Sequence, residues 1–482
     1  MLTLSLIALP LLAGILVLFM QNNTKQVALI AAFIELALAG YVWSQFVPDA
    51  SSQFTFSYAW IKSAGISFSV GIDGISLILV LLSTLLVPLI VLSTFNHSYK
   101  NPTTFYALNL FMQSALVGVF VAKDAFLFYF FFEAALIPIY FIAALWGGEN
   151  RIRVTFKFFV YTIFGSLFML LALVYLYFQT PGDHTSEISA FYHLDLNSQQ
   201  EGYVFWALFL AFAIKMPVFP FHTWQPDTYT ESPTPATMLL AGIMLKMGTY
   251  GLIRLLLPIV PIGVSAWGST AMILSIIGIV YGSIIAIQQR DMKRLIAYSS
   301  FAHVGLMAAG ILSKSVTGLQ GALIQMLAHG INVVGLFFVV EIIYSRTKSR
   351  ELEKLGGITQ NTPNLSIYFM ILMLGSVALP LTNGFVGEFL LLKGVYDYNV
   401  WLGAVAGLTI ILGAVYMLRM FQRAMFGEQN TRTETFADLN FSEKAVLLPL
   451  SVMVLVMGLF PNVFLKISEP AVNQLINLMS KY

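Results

Sequence analysis

Apolar runs long enough to cross a bilayer follow one another almost without pause in this chain, and that pattern leaves little freedom of fold. A helix rises about 1.5 Å per residue, so about 20 apolar residues cross a hydrocarbon core. Runs of roughly that length fall at about 2–20, 27–48, 73–95, 104–122, 124–146, 154–179 and 203–221. They continue at about 235–257, 264–288, 293–312, 318–344, 366–394, 399–425 and 444–466, which makes about fourteen membrane helices. Only 10% of the 482 residues are charged, against about 25% in a soluble domain. With a mean hydropathy of +0.82, the chain has to take the bilayer as its solvent. The expected fold class is all-α and polytopic, with no separate soluble domain. Two connections are longer than the rest. "FTFSYAWIKSAGISFSVGID" alternates polar and apolar residues around Gly65, as a β-hairpin does. The other is the polar stretch 181–202. The first run lacks a basic leader and a small-residue cleavage site, which fits a first span better than a removable signal.

Composition closes several function classes. The absence of cysteine excludes disulfides, cysteine-ligated iron–sulfur clusters and thiol catalysis. A net charge of +2 gives no reason to expect nucleic acid as a partner. No metal-ligand spacing, phosphate-cradling glycine loop or nucleophile–base motif is present, and the aromatic and methionine residues read as lipid contact and packing. Charge asymmetry orients the bundle. Loops after odd-numbered spans hold 16 lysines and arginines, among them Arg151, Arg290, Arg346 and Arg432. Loops after even-numbered spans, with the C-terminus, hold 7, including Lys62, Lys123 and Arg254. The positive-inside rule then puts the odd loops in the cytoplasm and both termini outside.

Two lysines belong to neither side. Lys215 lies inside "LAFAIKMPVFPFHTWQPD" and Lys246 inside "LLAGIMLKMGTYGL". A charge at the bilayer centre costs about 2.5–3.5 kcal/mol even on lenient scales. Further ionisable groups sit near mid-span: Glu133 in "FYFFFEAALIPIYF", His303 in "SSFAHVGLMAAG", His329 in "LIQMLAHGINVVG" and Glu388 in "LTNGFVGEFLLLKG". Each has a bland reading alone: a histidine can donate to a helix carbonyl, and a lysine–glutamate pair can be packing. A lysine–histidine–glutamate series repeated over six spans is harder to assign to packing, and it reads as a proton relay. Histidine titrates near neutrality, and buried lysine releases its proton more readily than free lysine. Pro217 and Pro220 follow Lys215, and Pro380, Asn383 and Gly384 precede Glu388. These residues break spans 7 and 12 beside an ionisable group. Irregular backbone at depth is tolerated only where it lines a protein or water cavity. One such break in each half suggests an internal repeat of the kind that marks a translocation path.

The segment "HTWQPDTYTESPTPATMLLAGIMLKMGTYGLIR" resembles the hallmark of the antiporter-like subunits of proton-pumping NADH:quinone oxidoreductase, respiratory complex I. "VGIDGISL", "FYFFFEAALIPIYF", "DMKRLIAYSSFAHVGLM" and "GALIQMLAHG" resemble it too, in the same order, so the likeness covers nearly the whole chain. Multi-subunit cation/proton antiporters and membrane-bound hydrogenases hold related chains. The M-type branch, counterpart of mitochondrial chain 4, fits best: the chain stops after the fourteenth span, and Glu388 stands where L- and N-type chains usually carry lysine. The resemblance implies inverted repeats over spans 4–8 and 9–13, with spans 7 and 12 discontinuous. It divides the chain into residues 1–103, 104–260, 261–425 and 426–482. It implies that Glu133 modulates Lys215, that Lys246 is the central relay lysine, and that His303 and His329 connect to Glu388 on the outward side. No cofactor is expected in this chain; flavin, iron–sulfur clusters and quinone belong to partner subunits. The implied partners are neighbouring membrane subunits, including chains L and N and the lateral helix of chain L, with lipid and protons. The function implied is proton movement from cytoplasm to periplasm in a bacterial inner membrane. A sodium/proton antiporter subunit and a passive scaffold are the alternatives.

Overall fold

The computed structural model describes residues 1–480. α1 (Leu2–Leu18) and α2 (Thr24–Gln45) lead into an antiparallel hairpin of β1 (Gln53–Ile61) and β2 (Ile66–Ile72). The hairpin pairs Phe56 with Val70 and Tyr58 with Phe68, and turns at Gly65, whose φ of 59° suits a residue without a side chain. The period-2 pattern of the sequence therefore forms the expected hairpin. α3 (Gly74–Ser93), α4 (Pro102–Val121), α5 (Ala125–Ala134), α6 (Leu136–Trp146) and α7 (Arg151–Gln179) follow. Asp73 starts α3 with a capping box, its side chain accepting from the Ile75 and Ser76 amides.

The predicted span 7 is two helices, α8 (Ser198–Lys215) and α9 (Trp224–Glu231), parted at Pro217 and Pro220. α10 (Thr234–Ile259) holds Lys246. Then come α11 (Pro261–Gln288), α12 (Met292–Leu312) and α13 (Val316–Thr347). The predicted span 12 is also interrupted, into α14 (Pro363–Ser376) and α15 (Asn383–Tyr398), with Ala378 and Leu381 at positive φ between them. α16 (Val400–Met425) and α17 (Phe441–Leu459) follow. A last helix, α18 (Asn462–Met479), was not expected. It buries Ile467, Ala471, Val472 and Leu475 against the bundle and leaves Glu469 and Asn473 outside. Its face is too narrow for a hydropathy window tuned to spans.

Among the described residues, eleven helices are long and apolar enough to cross a membrane. α10, α12 and α13 are almost wholly buried, whereas α2, α7 and α16 show much of their surface. On α7, Phe156, Val160, Phe164, Leu167 and Leu171 are exposed at helical spacing, a stripe suited to lipid tails or a partner helix. The three central helices are those that carry Lys246, His303 and His329. α10 and α13 approach closely because Gly242 and Gly330 meet: a β-carbon on Gly330 would stand 2.9 Å from the Gly242 carbonyl oxygen. That contact sets the distance between the side chains of Lys246 and His329.

Candidate functional site

Lys246 sits where α10 loses regular geometry. The helix widens into π-type turns at Leu240–Met244 and Leu252–Leu256, a deviation often found at functional positions. The wide turn leaves the Ala241 carbonyl free, and Lys246 Nζ donates to it at 2.7 Å. Nζ also lies 2.9 Å from His329 Nδ1 on α13. Lys246 is fully buried and His329 is 5% exposed. A contact this short between two basic nitrogens needs one to donate and the other to accept, so the pair is built to share a single proton.

His303, on α12, has both ring nitrogens facing acceptors. Nδ1 is 2.8 Å from the Ser299 carbonyl oxygen. Nε2 is 3.1 Å from the Ser376 carbonyl oxygen and 3.1 Å from Glu388 Oε1. Such surroundings suit an imidazolium that donates from both nitrogens, with the carboxylate as counter-charge. Ser376 is the last residue of α14, so the interruption of span 12 supplies a free carbonyl to His303. Beyond the break, Asn383 and Asn332 exchange amide hydrogen bonds at 3.1 Å and tie α15 to α13. Gly387 lets α15 press on Gln325, which brings in Glu388.

The rings of His303 and His329 are 5.9 Å apart, centre to centre. Between them is an enclosed void of about 10 Å³, lined by Ser300, Gln325 and both histidines among others. His329 Nε2, Gln325 Oε1 and Ser300 Oγ border it without a protein partner. A void of this size with several polar walls fits about one water. The structure thus brings together four of the six candidates, Lys246, His329, His303 and Glu388, in one buried line.

The other two are placed differently. Lys215, 3% exposed, ends α8 with its ammonium 4.6 Å from the centre of the Phe132 ring. Glu133 is the next residue, half-buried at the step between α5 and α6, and makes no salt bridge with Lys215. The ammonium contacts the aromatic face, and any action of Glu133 on Lys215 is electrostatic, without a salt bridge. The break after Lys215 also differs in detail: the freed Ile214 carbonyl accepts from the Trp224 indole at 2.9 Å, not from the ammonium. Met216, beside Lys215, packs on Gly248, two residues beyond Lys246. The two lysines therefore approach each other through a direct helix contact.

Sequence reasoning missed a second buried cluster. Arg254, counted among loop residues, lies within α10 and is 9% exposed. Its Nη2 donates to Asp73 at 2.7 and 2.5 Å, and Lys123 Nζ reaches Asp73 at 3.3 Å. Removing one member of such a buried pair costs about 3–5 kcal/mol. Arg254→Met is expected to lose about 3 kcal/mol, because Lys123 remains as counter-charge. A fall in the detergent melting temperature checks this, and an unchanged melting temperature contradicts it. The signal for this cluster was Asp73 before an apolar run, which the hydropathy count passed over.

Chemically, the buried line offers four groups able to bind and release protons, on helices from both halves of the chain. A family profile described as NADH:quinone oxidoreductase/Mrp antiporter, TM, matches residues 122–413. NADH-quinone oxidoreductase subunit M of Rickettsia typhi is 40% identical over 485 residues, covering 98% of this chain and 97% of that one. This chain belongs to the subunit M family of NADH-quinone oxidoreductases. Its membership makes it a membrane subunit of an oxidoreductase assembly. The fold agrees: a chain of respiratory complex I from Thermus thermophilus with bound NADH superposes with a TM-score of 0.92 at 31% identity, over 99% of this chain and 100% of that one. A chain of the Mrp complex from a Dietzia species has a TM-score of 0.87 at 20% identity over 99% of this chain and 98% of that one, a likeness of fold alone.

Proposed function

We propose that this subunit M chain moves protons across the membrane through Glu133, Lys215, Lys246, His329, His303 and Glu388. The observation that carries the reading is the buried line in which Lys246 Nζ is 2.9 Å from His329 Nδ1 and His303 Nε2 is 3.1 Å from Glu388 Oε1. A proton arriving at the Lys246–His329 pair raises its charge beside Lys215, and like charges in a low dielectric repel strongly. The repulsion drives the proton toward His303, where Glu388 receives it.

The direction is from cytoplasm to periplasm, with the arginine-rich loops inside and both termini outside a bacterial inner membrane. The energy comes from quinone reduction in partner subunits that hold the flavin, the iron–sulfur clusters and the quinone site. Neighbouring L- and N-type chains pass the electrostatic signal along. The interrupted spans 7 and 12 take matching places in inverted repeats over spans 4–8 and 9–13, each of which forms half of the path.

Glu133 reaches Lys215 at longer range, as a charge half-buried beside Phe132. Glu133→Ala is expected to lower NADH-driven proton pumping about tenfold, roughly 1.4 kcal/mol of barrier, with normal amounts of assembled complex. Normal coupled pumping in that variant removes Glu133 from the mechanism. Pumping that requires sodium would turn the reading toward sodium/proton exchange.

A further inference from the structure

A second row of polar groups runs from the arginine-rich face toward the histidines. On α12, Lys293, Ser300 and His303 fall at i, i+7 and i+10, one face of a helix about 15 Å long over that interval. Gln225 and Tyr229 are one turn apart on α9, which packs against α12. Gln225 Nε2 donates to the Ala297 carbonyl at 3.0 Å, which fixes α9 against α12. Lys293, 3% exposed, donates to the Ser232 carbonyl at 2.6 Å just past α9.

Each end of the row opens into space. At the Lys293 end is an open cavity of about 550 Å³, whose walls include Lys293, Glu231, Thr234, Glu341 and Arg350. At the His303 end is the enclosed void already described, with Ser300 in its wall. Tyr229 Oη, Gln225 Oε1 and Ser300 Oγ are all buried without a hydrogen-bond partner, and Tyr229 packs on Phe337, which follows Leu336 of the void's wall and precedes Val340 of the cavity's. The Tyr229 hydroxyl lies beside the Gln225 carboxamide, but the two do not form a well-aligned bond. Each unmet buried polar group costs about 1–3 kcal/mol, and native interiors hold few of them. Three of them on one seam, with a cavity at each end of it, serve poorly as packing. The Tyr229 ring packs edge-on against Phe337, centre to centre 6.0 Å.

We propose that protons enter the buried line along this α9–α12 seam, with Tyr229 as the gate residue between the open cavity and the histidine void. The phenol oxygen accepts a proton from the cavity side as its own proton leaves toward Ser300 and the void, so Tyr229 ends each transfer unchanged. Gln225, through its bond to the Ala297 carbonyl, holds α9 on α12 and carries no proton. The inference rests on the proposed relay and names its entrance.

The test uses the assembled complex in inside-out membrane vesicles, with pumping measured per complex for Tyr229→Phe, Tyr229→His, Ser300→Ala and Lys246→Ala. Tyr229→Phe keeps the ring and removes only the hydroxyl. The expected result is a loss of about tenfold in coupled pumping, a larger H2O/D2O rate ratio as entry becomes limiting, and substantial recovery in Tyr229→His, which restores a group that both gives and accepts a proton. Ser300→Ala should show the same isotope change more weakly, and it decides the matter if Tyr229→Phe does not assemble. Wild-type pumping and isotope ratio in Tyr229→Phe and Ser300→Ala, with Lys246→Ala inactive, overturn the entrance and leave the relay standing. Wild-type pumping in all of these variants overturns both.

Discussion

Glu388→Gln, assembled in its complex, is expected to pump protons about a hundredfold more slowly than wild type while its helices stay in place. Glutamine matches the carboxylate in size and keeps an oxygen for the His303 Nε2 contact at 3.1 Å. What it removes is the counter-charge. His303 would face only carbonyl oxygens, from Ser299 and Ser376, in a site where the histidine is 6% and residue 388 is 3% exposed. Leaving one member of a buried pair without its partner costs about 3–5 kcal/mol, and about 2.7 kcal/mol already corresponds to a hundredfold in rate. Because Asn383 and Asn332 hold α15 to α13 through their own amide pair, the amount of assembled complex should change little. Proton uptake by vesicles, divided by complex content, checks this; uptake at the wild-type rate would mean that Glu388 is a packing residue.

Lys246→Arg is expected to keep the charge and lose the function. Arginine stays protonated under all ordinary conditions, so it can hold a positive charge beside His329 but cannot hand a proton on. Its planar fork also fits poorly where one ammonium meets the Ala241 carbonyl at 2.7 Å and His329 Nδ1 at 2.9 Å. Pumping and the NADH oxidation coupled to it should fall at least about tenfold, with the assembled complex still present on native gels. Full activity would show that position 246 needs only a fixed charge.

The residues of the candidate site were legible in the sequence because charge at bilayer depth is costly, and costly residues stand out against apolar spans. The interruptions were legible for a similar reason: Pro217, Pro220 and Pro380 cannot continue a helix. Partners were another matter. The meeting of Lys246 with His329, 83 residues later, depends on Gly242 and Gly330 drawing two helices together. The carbonyl that Lys246 uses comes from a π-type turn with no signature in its residues. Charge logic expected Glu133 to modulate Lys215; in the fold the ammonium sits over the Phe132 ring and makes no salt bridge with Glu133. Neighbours in sequence on one helix point in different directions, so charge alone could not tell the two apart. Arg254 looked like a loop cation because it falls near the end of an apolar run, and its burial depends on Asp73, 181 positions earlier. α18 escaped because it is amphipathic, and a search for continuous apolar runs is blind to that pattern.

The central claim is that Lys246 passes protons in step with redox chemistry elsewhere in the assembly. The most direct measurement is the pH gradient formed by inside-out vesicles supplied with NADH, alongside NADH oxidation, for wild type and Lys246→Ala at equal complex content. The account predicts that both the gradient and quinone-dependent oxidation collapse in the variant. An unchanged gradient with unchanged oxidation would contradict it, and would make the buried lysine a structural residue.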